Sequence, residues 1–156
     1  MANSAGVSNN FKHECMRGEH QLGAATLVSR TSLTAPTTDV VKAALYLVSA
    51  TTGPSNAVYT ATGEVSGSGY SAGGVTVTNA TTPSLDTTTG IWTPSASIVY
   101  TTVTLATAFD CVMLYNSTQS NKAIEVCTFG SQTVTAGTFT LTMPANDASN
   151  ALIRLA

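Results

Sequence analysis

Apolar and polar positions alternate along most of this chain, and a helical period shows in one place only. Val40 to Val48 (VVKAALYLV) is almost continuously apolar, the pattern of a strand buried on both faces. From Ala57 onward the period is two: Val58–Ala61, Gly74–Asn79, Ile91-Trp92, Ile98–Ala106, Phe109–Tyr115, Ala123–Phe129, Phe139–Met143 and Ala151–Leu155 each read as a strand. Turn signals separate them: Thr51–Asn56 with its Gly-Pro pair, the glycine-rich 64–74, the polar stretch 81–90, and Asn116–Asn121. Near the start, Phe11, Cys15 and Met16 form an apolar stripe behind a Ser8 or Asn9 cap, which predicts a helix over 10–17. Residues 1–9 are small and polar and read as a flexible or partner-ordered arm. Thr26–Val28 has weak strand character, and Pro36 breaks the chain after it. The spacing therefore predicts a mainly β protein, an antiparallel sandwich or barrel of about eight short strands with one short N-terminal helix. The expected organisation is an arm over 1–22 and a single β domain over 23–156, with the helix of the arm either packed on the domain or extended from it.

Composition changes this picture in one respect. Only 9% of the 156 residues are charged, against about 25% in ordinary soluble domains. Thr and Ser together number 44, and Thr alone 28, so the polar surface must consist of hydroxyls and amides. With a net charge of -2 there is no basic excess to neutralise phosphates, which argues against nucleic-acid binding. An apolar share of 43% argues against disorder, and no apolar run is long enough for a spanning helix. MANSAGVSNNFKHEC has neither a basic start nor an apolar stretch, so no secretory signal is expected. Low charge of both signs suits a protein docked in an assembly better than a free monomer.

Candidate chemistry is sparse. Gly67-Ser-Gly69-Tyr-Ser-Ala-Gly73-Gly74 resembles a phosphate loop, but its third glycine is one position late and a strand follows rather than a helix. A tight turn or close backbone approach is the expectation there. His13, Cys15 and His20 are metal-competent, yet on a helix the two histidines sit about two turns apart. The two histidines, four aspartates and four glutamates form no recognisable triad or acid–base pair. No catalytic, cofactor-binding or metal-ligating set is therefore expected. Cys111 and Cys127 can face each other across a hairpin; buried free thiols are the expected state. Asn79-Ala-Thr81 and Asn116-Ser-Thr118 match the glycosylation sequon, which carries no weight without a signal. The ten aromatics are spread along the strands as core contacts would be, with Tyr70 and Trp92 alone near loops.

Several segments in order resemble a family of small virion proteins of tailed bacteriophages: the Asn10-Phe-Lys helix, Val41-Lys-Ala-Ala-Leu-Tyr46, Glu64-Val-Ser-Gly-Ser-Gly-Tyr-Ser-Ala-Gly-Gly-Val75, Leu114-Tyr-Asn-Ser117, and Asp147-Ala-Ser-Asn-Ala-Leu-Ile-Arg154. The likeness covers most of 9–156 and fits poorly at 23–38 and 80–97. It implies a non-enzymatic structural protein of the virion, made in the host bacterial cytoplasm. The favoured expectation is a decoration or cement protein on the outer surface of the head, bound to the major capsid protein as a homo-oligomer such as a trimer. The alternative is a tail, neck or fibre-associated adaptor with receptor or glycan contact. Neither version needs a cofactor, nucleic acid or membrane. Asn10, Phe11, Lys12, Met16 and Arg17 of the arm, with Tyr70 and Trp92, are the expected partner-binding residues. If the arm is the anchor, removing 1–20 should leave a folded domain that no longer binds shells.

Overall fold

The computed structural model describes residues 3–16, 20, 22–23, 38–79 and 81–155. Its order is β1 (Gly6–Val7), α1 (Asn9–Met16), β2 (Val41–Leu47), β3 (Val75–Thr76), β4 (Ser84–Asp86), β5 (Thr89–Trp92), β6 (Ile98–Asn116), β7 (Lys122–Leu141) and β8 (Ile153–Leu155). These strands form two antiparallel sheets, β1-β7-β6-β2-β3 and β4-β5-β8. The protein is mainly β, as its period-two pattern predicts. Among the described residues the larger sheet ends on β1 and β3 and does not close into a barrel.

The apolar run at β2 is central for the reason its composition suggests. Val41, Ala43, Ala44, Leu45 and Tyr46 are all fully buried, because β2 carries an apolar cluster on each face. On one face Val41, Ala43 and Leu45 meet Val112, Leu114 and Ile124, and Trp92 and Ile153 of the small sheet join them. On the other, Ala44 and Tyr46 meet Cys111, Met113, Tyr115 and Val126.

Four of the expected strands fuse into two. Ile98–Ala106 and Phe109–Tyr115 are one 19-residue strand, and Ala123–Phe129 and Phe139–Met143 fall largely within one 20-residue strand. Register shifts at Tyr100/Val103, Val103/Leu105, Leu105/Phe109 and Phe109/Cys111 keep the apolar side chains inward where strict alternation fails. Thr102 and Ala136, both at positive φ, mark two of these bulges. Conversely, Val58–Ala61 contributes only an isolated bridge, Val58 to Lys122. The polar stretch 81–90 contains a hairpin, β4–β5, whose turn places Thr87 at positive φ, a position usually signalled by Gly or Asn. The weak strand expected at 26–28 lies outside the described residues.

The flexible-arm reading is corrected for residues 3–9, and the helix takes the packed of its two expected placements. Gly6 and Val7 pair with Val126 and Glu125 at the outer edge of β7. Asn3 Nδ2 donates to the Asp110 carboxylate at 2.6 Å and to the Leu47 carbonyl at 3.0 Å, and its amide oxygen accepts from the Thr52 N–H. Helix α1 spans 9–16, and Phe11 is buried in the main cluster. A small polar composition suits a free arm and an edge strand equally, and the unpaired edge of β7 decides between them.

Candidate functional site

The glycine-rich segment expected to be a turn is bound tightly to the sheet. Gly69 and Gly74 have φ of 77° and 71°. A Cβ at Gly69 would fall onto the Thr102 carbonyl, and one at Gly74 onto the Ala43 carbonyl. Both positions therefore need glycine for backbone shape and for close approach. At its centre sits Glu64. Its Oε2 accepts from the Tyr59 hydroxyl at 2.6 Å, and its Oε1 accepts from the Tyr70 hydroxyl and the Gly73 N–H, both at 2.7 Å. The Tyr70 oxygen accepts in turn from the Leu45 N–H at 3.0 Å.

The remaining tyrosines extend this network. Tyr115 donates to the Gly73 carbonyl, Tyr100 to the Ala43 carbonyl and Tyr46 to the Thr60 carbonyl. Tyr59 stacks on Tyr115 at 4.7 Å and Tyr70 on Tyr100 at 6.0 Å. Burial pushes the Tyr46, Tyr59, Tyr70 and Tyr100 hydroxyls well above their ordinary value, and the Glu64 charge adds to each shift. Phenols so placed stay protonated near neutral pH and act as fixed donors. The arrangement fastens loop 64–74 to β2.

The expected partner-binding residues divide. Asn10 is exposed. Phe11 and Trp92 are each only 1% exposed, which corrects their assignment to a docking surface. Trp92 lies opposite Ile153 in the small sheet, and its indole N–H is shared between the Leu22 and Thr81 carbonyls at 3.2 Å. Proximity to a loop in sequence misleads here, because a large apolar ring at a strand end turns inward. Tyr70 is half-buried, with its hydroxyl committed to Glu64 and Leu45, so it too is an internal tie. The side chains of Lys12 and Met16, and all of Arg17, lie outside the described residues.

Phe11, Cys15, His20, Leu22, Trp92 and Ile153 line part of an apolar groove of about 180 Å³ between α1 and the small sheet. His20 packs edge-on against Phe11 at 4.7 Å and pairs with the Asn116 side chain at 3.1 Å. The His13 side chain lies outside the described residues, and among those described no three His, Cys, Asp or Glu side chains converge as a metal site. The β6–β7 register sets Cys127 opposite Val112, so Cys111 and Cys127 point to opposite faces of the sheet and are free thiols. Burial pushes the Cys111 thiol up to about 12.

Two motifs act as turn locks. Asn116 accepts from the Thr118 and Gln119 N–H groups and donates to the buried Asp39 carboxylate at 2.6 Å. Asp147 accepts from the Ser149 and Asn150 N–H groups, the loop-capping role its sequence context suggests. The Asn150 side chain, followed by these N–H groups, holds the Asp147 carboxyl below its usual range.

Sequence reasoning missed Glu125. It stands on β7 opposite Val7 and Leu114, is 8% exposed, and its Oε2 has no hydrogen-bond partner among the described residues. Its only signal is a lone charge inside AIEVCTF. Burial pushes it up to about 8, with Arg154 pulling weakly the other way. An unfolded glutamate titrates near about 4.3. The folded chain therefore holds an extra proton between those values, and stability is lost as pH rises from about 4 to about 8, then levels off. Thermal melts should show Tm falling across that window, with the fall reduced in Glu125→Gln. Equal slopes in both proteins would refute this assignment.

Comparison with protein-family models, curated proteins and solved structures finds no match for this chain.

Proposed function

We propose that this chain is a non-enzymatic structural protein of a bacteriophage virion, a decoration protein that binds the major capsid protein on the outer surface of the head and reinforces the shell. The observation that carries the reading is the surface of β7 beyond Glu125. No Asp, Glu, Lys or Arg occurs between Glu125 and Asp147, and Thr128, Thr133, Thr135, Thr138, Thr140 and Thr142 are all exposed along it. A long hydroxyl-bearing surface without charge costs less to desolvate than a charged one and meets no like-charge repulsion when many copies lie side by side. The sequence likeness to small virion proteins points the same way. Docking then falls to the hairpin, since residues 3–16 are engaged on their own domain. Many modest interfaces acting together hold a shell by avidity.

Gold-labelled antibody to the chain, applied to intact particles and viewed by negative-stain electron microscopy, tests this. Label over the heads is the expected result. Label confined to the tail supports the adaptor alternative and overturns decoration. Particles without label overturn both.

A further inference from the structure

We infer that the outer edge of β7 at Thr138–Thr142 is a self-association surface, on which two copies of the chain pair antiparallel about a two-fold axis through Thr140. Among the described residues, no strand pairs with this edge beyond Val126, and no backbone hydrogen bond reaches 138–142 from outside the β6–β7 hairpin. An open edge is a template for another strand, and proteins that avoid pairing blunt it with charge, proline or bulges. Bulging does interrupt β7 further back, at the register shifts Phe109/Cys111 and Val103/Leu105. From Phe139 to Leu141 the pairing with β6 is regular, with Tyr100 facing Phe139, Val99 facing Thr140 and Ile98 facing Leu141, and the shift between Tyr100 and Val103 puts its extra residue on β6 and not on β7. Nothing in Thr-Phe-Thr-Leu-Thr is charged, and the first proline is Pro144.

The occupant follows from the sequence of the edge. Read outward from Thr140 the residues are Phe139 and Leu141, then Thr138 and Thr142, so the strand matches its own reverse in chemical type. Two-fold pairing sets Thr140 against Thr140, Phe139 against Leu141 and Thr138 against Thr142. Apolar meets apolar on the core face, where Phe139 and Leu141 are half-buried, and hydroxyl meets hydroxyl on the outer face, where all three threonines are exposed. The apolar row Tyr100–Phe139 then continues through the second copy's Leu141 and Ile98. Exposed Val99 flanks Thr140 on the outer row. Such an interface is isologous and closes at two copies, so a threefold arrangement would need a different face. The inference stands whether or not the chain is part of a virion.

Light scattering coupled to size-exclusion chromatography over a dilution series tests it. The native chain should give the mass of two chains, falling toward one on dilution. Thr140→Lys places two ammonium groups opposite each other on the axis and should leave one chain at every concentration, with the Tm of the native chain at its most dilute. Thr140→Glu should do the same alone, and mixing the two variants should restore the two-chain mass. A native chain that is monomeric throughout, a three-chain mass, or a Thr140→Lys variant as dimeric as the native protein would each overturn the inference. So would failure of the Lys and Glu variants to rescue each other.

Discussion

Glu64→Ala should lower stability by about 4 kcal/mol, one of the two largest single effects expected in this protein. The substitution removes both acceptor oxygens and orphans the Tyr59 and Tyr70 hydroxyls and the Gly73 N–H together. Tyr59 is half-buried, on the open side of the network, and water can replace its partner. Gly73 is buried, and Tyr70 is wedged between Leu45 and Tyr100, so neither donor regains a bond cheaply. A buried donor left unpaired costs about 1–3 kcal/mol, more where the lost partner was charged. Glu64→Gln keeps the shape but sets amide hydrogens against donors, and about half the loss should remain. Urea midpoints measure the size of the effect, and hydrogen exchange locates it, since protection of the Gly73 amide should disappear. A midpoint like that of the native chain, with Gly73 still protected, would show that the loop is held by glycine geometry alone.

The second large effect concerns the N-terminus. A chain beginning at residue 17 should lose about 5 kcal/mol or more, enough to unfold a domain of ordinary stability at moderate temperature. Deleting a buried Phe side chain costs about 3–5 kcal/mol, and Phe11 is fully enclosed by the main cluster. The bonds of Asn3 to Asp110 and Leu47 go as well, as do the pairing of Gly6 and Val7 with β7 and the bond from the Ser8 N–H to the Ile124 carbonyl. Circular dichroism during urea unfolding measures the change. A truncated chain as stable as the whole would restore the free-arm reading that the sequence suggests.

Much of this was legible residue by residue. The continuous apolar run at 40–48 announces a strand covered on both faces, and β2 is one. Glycines clustered beside alternating strands announce close backbone approach, realised at Gly69 and Gly74. The candidate site was less legible. Trp92 and Tyr70 look available because they flank loops, but the pairing of β5 with β8 and the position of Glu64 turn them inward. Nothing local to Glu64 reveals that three donors converge on it from residues five to nine positions away.

The sequence by itself determined what depends on neighbours along the chain: a mainly β fold, a helix near 10–17 that the structure shifts by one residue, the turns at Asn116 and Asp147, and a surface built of hydroxyls rather than charges. Period-two alternation, side-chain capping and composition are local properties, so they survive reading without coordinates. Only the tertiary structure decided what depends on distant pairing. That includes the fusion of four apparent strands into two long ones across bulges, the docking of residues 3–16 on β7, the burial of Glu125 and Trp92, and the separation of Cys111 from Cys127 by one step of register. The physical reason is parity: a single residue of slip between strands sends a side chain to the opposite face, and the tertiary contacts set that slip.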